Sequence, residues 1–326
     1  MFAHGPHNDI TDVTGILVGQ AEKRQGLTGV TAILAPGGAV VGVAVEGSAP
    51  GTRETDLCRP GNLVRAAHAV LLCGGSAFGL AAVDGAMRYL EERQIGLPTG
   101  DAIVPIVPAA VLYDLGIGDP RCRPDSDLGY AACVAASAGP VVQGSVGAGL
   151  GCTVGKLRGM SGATKSGIGS ASVLAGGITV GAIVAVNAFG DVRDPQTGRI
   201  LAGTRGENGS SYVDTTRLML GGEEGQGLGA GQNTTIGVVA VGGSLTKEEA
   251  NKVARMAHDG LARTISPIHT MYDGDTLFCL ATGAEPVDTT LAGTAAAVAV
   301  ELAVLNAMRQ VTALGGLPGP MIGEER

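Results

Sequence analysis

The chain has no tryptophan, and only 3% of its residues are aromatic. That scarcity argues against a nucleic-acid surface on which bases stack on aromatic rings. Basic residues are also short: 22 Lys and Arg face 30 Asp and Glu, a net charge of −8. A phosphate backbone or an anionic membrane would be repelled by such a balance. The six cysteines (Cys58, Cys73, Cys122, Cys133, Cys152 and Cys279) form no Cys-x-x-Cys pair and no zinc spacing. Most lie in apolar runs, where a buried free thiol is the ordinary outcome. The five histidines make no His-Glu-x-x-His, and neither His258 nor His269 is assigned a role. Met1 to His7 has no basic start followed by an apolar run, so no signal peptide is expected and the cytoplasm is the expected setting.

Glycine is what the chain has in excess: 55 of 326 residues, more than twice the usual ~7%. There is no Gly-x-y period, and the glycines punctuate apolar runs, a pattern of tight turns and close backbone packing. With 45% hydrophobic residues the chain can bury a large core. Residues 168–190 carry no charge and reach the ~20 residues a membrane span requires. Gly176-Gly177 divides them into two β-branched halves, so two buried strands joined by a tight turn are expected.

Further strands are expected at Ile16 to Val18, Val30 to Leu34 and Ala39 to Val45, with Pro36-Gly37-Gly38 as a turn. Residues 101–115 contain Pro105 and Pro108 and read as extended or irregular. Helices are expected from Ser76 to about Arg93, with the Ser76 hydroxyl as cap, and from Leu128 to Ser137. Two more are expected, one after the capping box Thr246-Lys247-Glu248-Glu249 and an Ala-rich one from about Thr290 to Met308. Strands and helices are mixed along the chain, which gives an α+β or layered α/β class.

Several signatures nearly fit. Gly74-Gly75-Ser76-Ala77-Phe78 has Phe where a nucleophile elbow needs Gly. Gly155-Lys156 ends like a phosphate loop, but Leu150 and Leu157 occupy required positions. Asp273 and Asp275 lack the further acids of a calcium loop, and an Asp-Gly turn is the plain alternative.

The most informative stretch runs from Gly231 to Ala240. A glycine-rich run, Gly221 to Gly231, leads into Asn233-Thr234-Thr235, and an apolar strand follows. Asn-Thr-Thr is also a turn followed by two strand formers, and it matches the Asn-x-Thr glycosylation pattern. A cut before Thr234 would put a hydroxyl and a free α-amine on one residue. An α-amine titrates at ~8 in model peptides, so it can activate the hydroxyl as its own base.

These residues occur in one order with the Gly147–Lys156 ladder, Val186-Asn187, Tyr113-Asp114 and His269-Thr270-Met271-Tyr272-Asp273-Gly274-Asp275. As a set, from about Ile10 to about Met308, they resemble the DmpA/NylC family. Its members are self-processing L-aminopeptidase/D-esterases, β-peptidyl aminopeptidases and nylon-oligomer hydrolases. The resemblance implies a four-layer αββα fold like that of N-terminal-nucleophile hydrolases. It implies one domain cut into residues 1–233 (α chain) and 234–326 (β chain) that stay associated, usually as a homotetramer of such pairs. It makes Thr234 the nucleophile, matches Lys156 and Asn187 to the family's catalytic Lys and Asn, and Asp273 and Asp275 to its acidic pair. Tyr113 matches a tyrosine lining the site. Asn187 would donate its NH2 to an oxyanion, and Asp275 would anchor Lys156 or the free amine. The reading asks for no metal or cofactor, no nucleic acid and no membrane, only a small peptide or amide-oligomer substrate. A strict aminopeptidase is the near alternative. A serine hydrolase using Ser76 and a non-catalytic assembly protein are the remoter ones.

Overall fold

The computed structural model describes residues 2–225 and 232–321. Most of the glycine-rich run before Gln232, residues 226–231, falls outside that range. Nine strands join in one sheet: β1 (Leu17–Lys23), β2 (Thr28–Val45), β3 (Gly51–Arg53), β4 (Ala66–Cys73), β5 (Ala109–Val111), β6 (Ile168–Ala175), β7 (Ile178–Asn187), β8 (Thr234–Val241) and β9 (Thr276–Ala281). The order is β6-β7-β8-β9-β2-β4-β5-β3, with β1 beside the first half of β2. Four helices cover it: α1 (Ala82–Glu91), α2 (Ser126–Val134), α3 (Lys247–Thr264) and α4 (Thr289–Arg309).

Period-2 alternation turns this sheet into layers. Ile236, Val238 and Ala240 of β8 point into a central core, together with Phe278 and Leu280 of β9 and Val70 and Leu72 of β4. The opposite faces, Val239 and Val241, Leu277 and Cys279, pack under α3 and α4. Ala69 and Leu71 of β4 with Ala32 and Leu34 of β2 pack under α1 and α2. Three cores in series separate four layers, helix–sheet–sheet–helix, as the resemblance implies.

The bend that lets one sheet form both inner layers lies in β2. Pro36-Gly37-Gly38 does not make the expected turn; residues 28–45 form one strand with a register shift between Leu34 and Ala39. Pro36 has no N–H to give the ladder, so pairing lapses there and the strand bulges instead of reversing. Its two ends then serve different neighbours, β1 near Thr31 and β9 near Val43.

The expected helix at Ser76 also differs. Ser76–Ala81 is a 3-10 turn, Gly75 is its cap in the left-handed region, and the Ser76 side chain makes no capping bond. Ser76, at φ +54, is the first residue of the turn and so does not occupy the cap position. The α2 helix starts earlier than expected, on an Asp125 cap. Residues 168–190 hold the hairpin of β6 and β7, with Gly176 and Gly177 both at positive φ in the turn. The capping box at Thr246 is formed as expected and opens α3. Helix α4 is long and apolar enough to cross a membrane, yet it lies packed on α3 and β6, within the outer core.

Phe278 is fully buried in the central core, whereas Leu63 is 93% exposed. Phe278→Ala is expected to cost about 3–5 kcal/mol of stability. Leu63→Ala should change it by less than about 0.5 kcal/mol. Urea unfolding of both variants beside the parent chain measures the difference.

Candidate active site

Strand β7 ends at Asn187 and β8 begins at Thr234, and the two residues are register partners across the antiparallel ladder. The sheet therefore sets the expected nucleophile opposite the expected amide donor. Both side chains are buried.

Lys156 reaches the same point from a turn. Gly155 has φ +69, and a Cβ there would lie 1.9 Å from the Gly203 carbonyl carbon, so only glycine fits. The backbone of Gly155 and Lys156 donates to Gly190 and Phe189 carbonyls at 3.0 Å each. The Lys156 ammonium donates to Asn187 Oδ1 at 2.8 Å, to the Asn187 carbonyl at 3.1 Å and to the Gln232 carbonyl at 3.4 Å. Complete burial pushes its amine down to about 7, against the weaker pull of Cys152, Asp273 and Asp114.

Asn187 Oδ1 also accepts from the Thr153 N–H at 3.0 Å. These donors fix the amide orientation, and Nδ2 donates to the Tyr113 carbonyl at 2.9 Å. An amide nitrogen carries two hydrogens, so one remains for another acceptor. Tyr113 itself lines a cavity of about 140 Å³ with Ile117, Thr153, Lys156, Met160 and Gln232. A larger surface hollow, about 600 Å³, is lined by Arg193, Asp214 and Arg217 and holds none of these groups. The smaller cavity is the one that adjoins the chemistry.

The acidic pair sits on the loop before β9. Asp273 accepts from the Phe189 N–H at 3.1 Å, the Thr270 N–H at 3.2 Å and the Thr270 hydroxyl. Burial raises its carboxyl, and repulsion from Asp275 adds to the rise. Asp275 accepts from the Thr235 N–H at 2.7 Å and from His269, through Nδ1 at 2.8 Å and N–H at 3.2 Å. Of the two expected anchoring partners, Lys156 and the free amine, Lys156 is not bonded to Asp275: its ammonium donates to Asn187 and Gln232. The register of β8 on β9 holds Asp275 at the amide after Thr234, and it is Asp273 whose charge acts on Lys156.

Between the acids stands Gly274, whose N–H donates to the Asn233 carbonyl at 2.9 Å. The Thr234 hydroxyl donates to that same carbonyl. Sequence reasoning missed this backbone donor, as well as Thr153 and His269. Only the Asp-Gly-Asp turn hinted that an N–H would be exposed there. The Ser76 alternative gains nothing: among the described residues its hydroxyl has no hydrogen bond to a histidine or an acid. Nor do any three His, Cys, Asp or Glu side chains among the described residues gather as a metal site.

The four-layer fold is that of the N-terminal-nucleophile hydrolases. It superposes on the L-aminopeptidase D-Ala-esterase/amidase of Ochrobactrum anthropi with a TM-score of 0.75 at 23% identity, covering 98% of this chain and 90% of that one. The β-aminopeptidase of a Burkholderia species gives 0.71 at 22% identity, over 99% and 93%. The model for peptidase family S58 matches residues 8–321, and the chain belongs to that family. A Mycobacterium tuberculosis protein named as an uncharacterized aminopeptidase is 45% identical over 314 residues, 92% of this chain and 89% of its own. The 6-aminohexanoate-oligomer endohydrolase of a Kocuria species is 30% identical over 300 residues, 91% and 81%. The protein is an amide-bond hydrolase.

The folded Lys156 amine titrates below its unfolded value of 10.5, so the folded state holds fewer protons between about pH 7 and 10.5. Its contribution to stability therefore rises with pH across that window. Relative to Lys156→Met, the parent chain should gain up to about 1.4 kcal/mol per pH unit from pH 7 upward. Denaturant unfolding of the two chains at pH 6, 7, 8 and 9 measures the divergence.

Proposed function

We propose that Thr234 is a self-activated nucleophile that first cuts its own chain and then cleaves external amides. The observation that carries this reading is the state of the Asn233 carbonyl. Its oxygen already accepts the Gly274 N–H at 2.9 Å, and the Thr234 hydroxyl lies against it. The group that would bear negative charge in an attack on Asn233 is thus bound to a fixed donor beforehand.

In the uncut chain the Thr234 nitrogen is an amide and cannot be a base. Lys156, lowered to about 7 by burial, has a neutral form within reach near neutral pH and is assigned the first proton transfer. Thr234 Oγ bonds to the Asn233 carbonyl carbon, the C–N bond breaks, and the nitrogen takes the proton and becomes the α-amine. Water then hydrolyses the ester and leaves the Asn233 carboxylate. The mature residue repeats the attack on a substrate amide with its own amine as base. Asn187 supplies its unused N–H to the oxyanion, and the departing amine leaves protonated. Asp273 and Asp275 hold the two strand ends in register, while Tyr113 lines the acyl side.

The cut gives fragments of 233 and 326 − 233 = 93 residues. They stay together in this reading because β8, from the second, is paired along its length with β7, from the first. Its partner β9 is paired with β2, also from the first. A homotetramer of such pairs follows from the resemblance.

On the acyl side, Gln232-Asn233 lies as a substrate would. Its upstream carbonyl accepts from the Lys156 cation at 3.4 Å. A substrate with an internal amide reproduces that contact, whereas a free ammonium would face a like charge. The only carboxyl among the described cavity residues is Asp114. One of its oxygens is taken by the Gly75 N–H at 2.7 Å, and the other is buried beside Gly74 and Gly151 with no partner among the described residues. These features favour linear amide oligomers or blocked short peptides, cleaved as by the Kocuria endohydrolase. The 45% identical relatives named aminopeptidases support the second reading, removal of N-terminal residues.

Thr234→Ala should remain one 326-residue chain by mass spectrometry, because alanine has no hydroxyl to attack Asn233. A Thr234→Ala chain that still splits at this bond would sink the mechanism. In the parent chain the splitting rate should rise with pH, with a midpoint at about 7.

Asn187→Ala should lower turnover about 100- to 1000-fold, the usual loss of one oxyanion donor, and slow maturation if its N–H serves both steps. Circular dichroism checks that the fold survives. Mature protein assayed with EDTA on a blocked 6-aminohexanoate oligomer and on an amino-acid p-nitroanilide separates the two substrate readings. Cleavage of the oligomer favours endo-action, and cleavage of free-amine substrates alone favours the aminopeptidase.

A further inference from the structure

His269 lies behind the acidic pair, outside the roles assigned so far. It binds one carboxylate oxygen twice: Nδ1 is 2.8 Å and its own N–H 3.2 Å from Asp275 Oδ2. The other oxygen, Oδ1, takes the Thr235 N–H at 2.7 Å. A carboxylate only accepts, so Nδ1 carries the hydrogen and the neutral ring has its bare nitrogen at Nε2. The Nε2 atom is buried, with no partner among the described residues. His269 has φ +56, a left-handed conformation that costs energy for any residue with a side chain. Glycine would adopt that backbone without strain, so the geometry points to a use for the ring.

The ring is held on its far side by His258, edge to face at 4.9 Å between centroids. His258 Nε2 donates to the Ala44 carbonyl at 3.2 Å, which leaves its Nδ1 bare and buried. Burial, together with His269, pushes His258 down to about 4. It therefore stays neutral near pH 7 and brings no cation of its own to compete for Asp275.

We propose that His269 is a positioning residue for the Thr234 chemistry: it locks the Asp275 carboxylate so that Oδ1 stays on the Thr235 N–H. This rests on the reading of Thr234 as nucleophile. His269 touches neither Thr234 nor the Asn233 carbonyl. It acts through Asp275 on the amide that follows the nucleophile, the peptide whose tilt sets where the Thr234 hydroxyl points. With the ring gone, Oδ2 keeps only a backbone donor, the carboxylate can turn, and the start of β8 loses a fixed anchor. A displacement of an ångström at a reacting group can cost a hundredfold in rate.

The test compares His269→Gly with His269→Asn in the full chain. Glycine relieves the backbone and removes the ring donor. Asparagine tolerates left-handed φ and sets an amide nitrogen where Nδ1 stood. Chain splitting is followed by denaturing gel and mass spectrometry, turnover on the blocked oligomer as kcat and KM, and folding by thermal melt. The expected result is at least a tenfold slower splitting and a tenfold lower kcat in His269→Gly, with KM and melting temperature held. His269→Asn should recover most of both rates. His269→Asp, the shape of Asn without the donor, serves as the second donor-less arm should the glycine chain fail to fold. Equal rates for donor and donor-less variants beside a parent chain that splits would overturn this inference alone. A parent chain that never splits would overturn the Thr234 reading and this inference with it.

Discussion

The structure turns on two carboxylates buried two residues apart. Taking Asp273 and Asp275 out of water is costly unless each finds donors, and the donors they find belong to different parts of the chain. Asp273 takes the Phe189 N–H just past β7, and Asp275 takes the Thr235 N–H at the start of β8. One short loop thus pins the ends of two adjacent strands, at the place where Asn187 and Thr234 face each other. Gly274 stands between the acids because a Cβ there would lie 2.4 Å from the Ala49 carbonyl oxygen. Its N–H is turned toward the Asn233 carbonyl as a result.

Burial does a second thing at this point. The same absence of water that raises the Asp273 carboxyl lowers Lys156 to about 7. A lysine at the surface would be a permanent cation. Here it is divided between a charged form that binds three oxygens and a neutral form that can take a proton. In the mechanism proposed, that division would give the uncut chain a base before any α-amine exists. Asn187 is held meanwhile by Lys156, Thr153 and Tyr113, so its amide needs no rearrangement when charge develops nearby.

The layering is compatible with the proposed cut, which would fall beside the core and leave one body. Strand β8 is central, flanked by β7 and β9, and its two faces belong to two different cores. The bond before Thr234 lies at the strand's edge, where hydrogen bonds to Gly274 and Asp275 meet the loop from Gln232. Breaking that bond removes none of the ladder pairs of β8.

Local pattern alone made much of this legible. The β6–β7 hairpin, the Thr246 capping box, the apolar run after Thr234 and the Ala-rich last helix are written in neighbouring residues, so the sequence determined them directly. Set in order, the motifs also determined the family, and with it the fold class and the amide chemistry. The bulge at Pro36 was not legible, because a Pro-Gly-Gly triplet suits a turn and a bulge equally, and only the pairing of β2 with β1, β4 and β9 selects between them. The helix cap at Ser76 failed for a like reason: the approach of Gly79 to the Gly74 carbonyl fixes that turn. Lys156, Asn187, Thr234 and Asp275 could be picked out, but their partners could not. Which oxygen a lysine reaches, which N–H a carboxylate takes, and that His269 and Gly274 join them depend on strand register and burial. Apart from His269 beside Asp275, those partners lie 31 to 84 positions apart, and the contacts exist only once the sheet has closed.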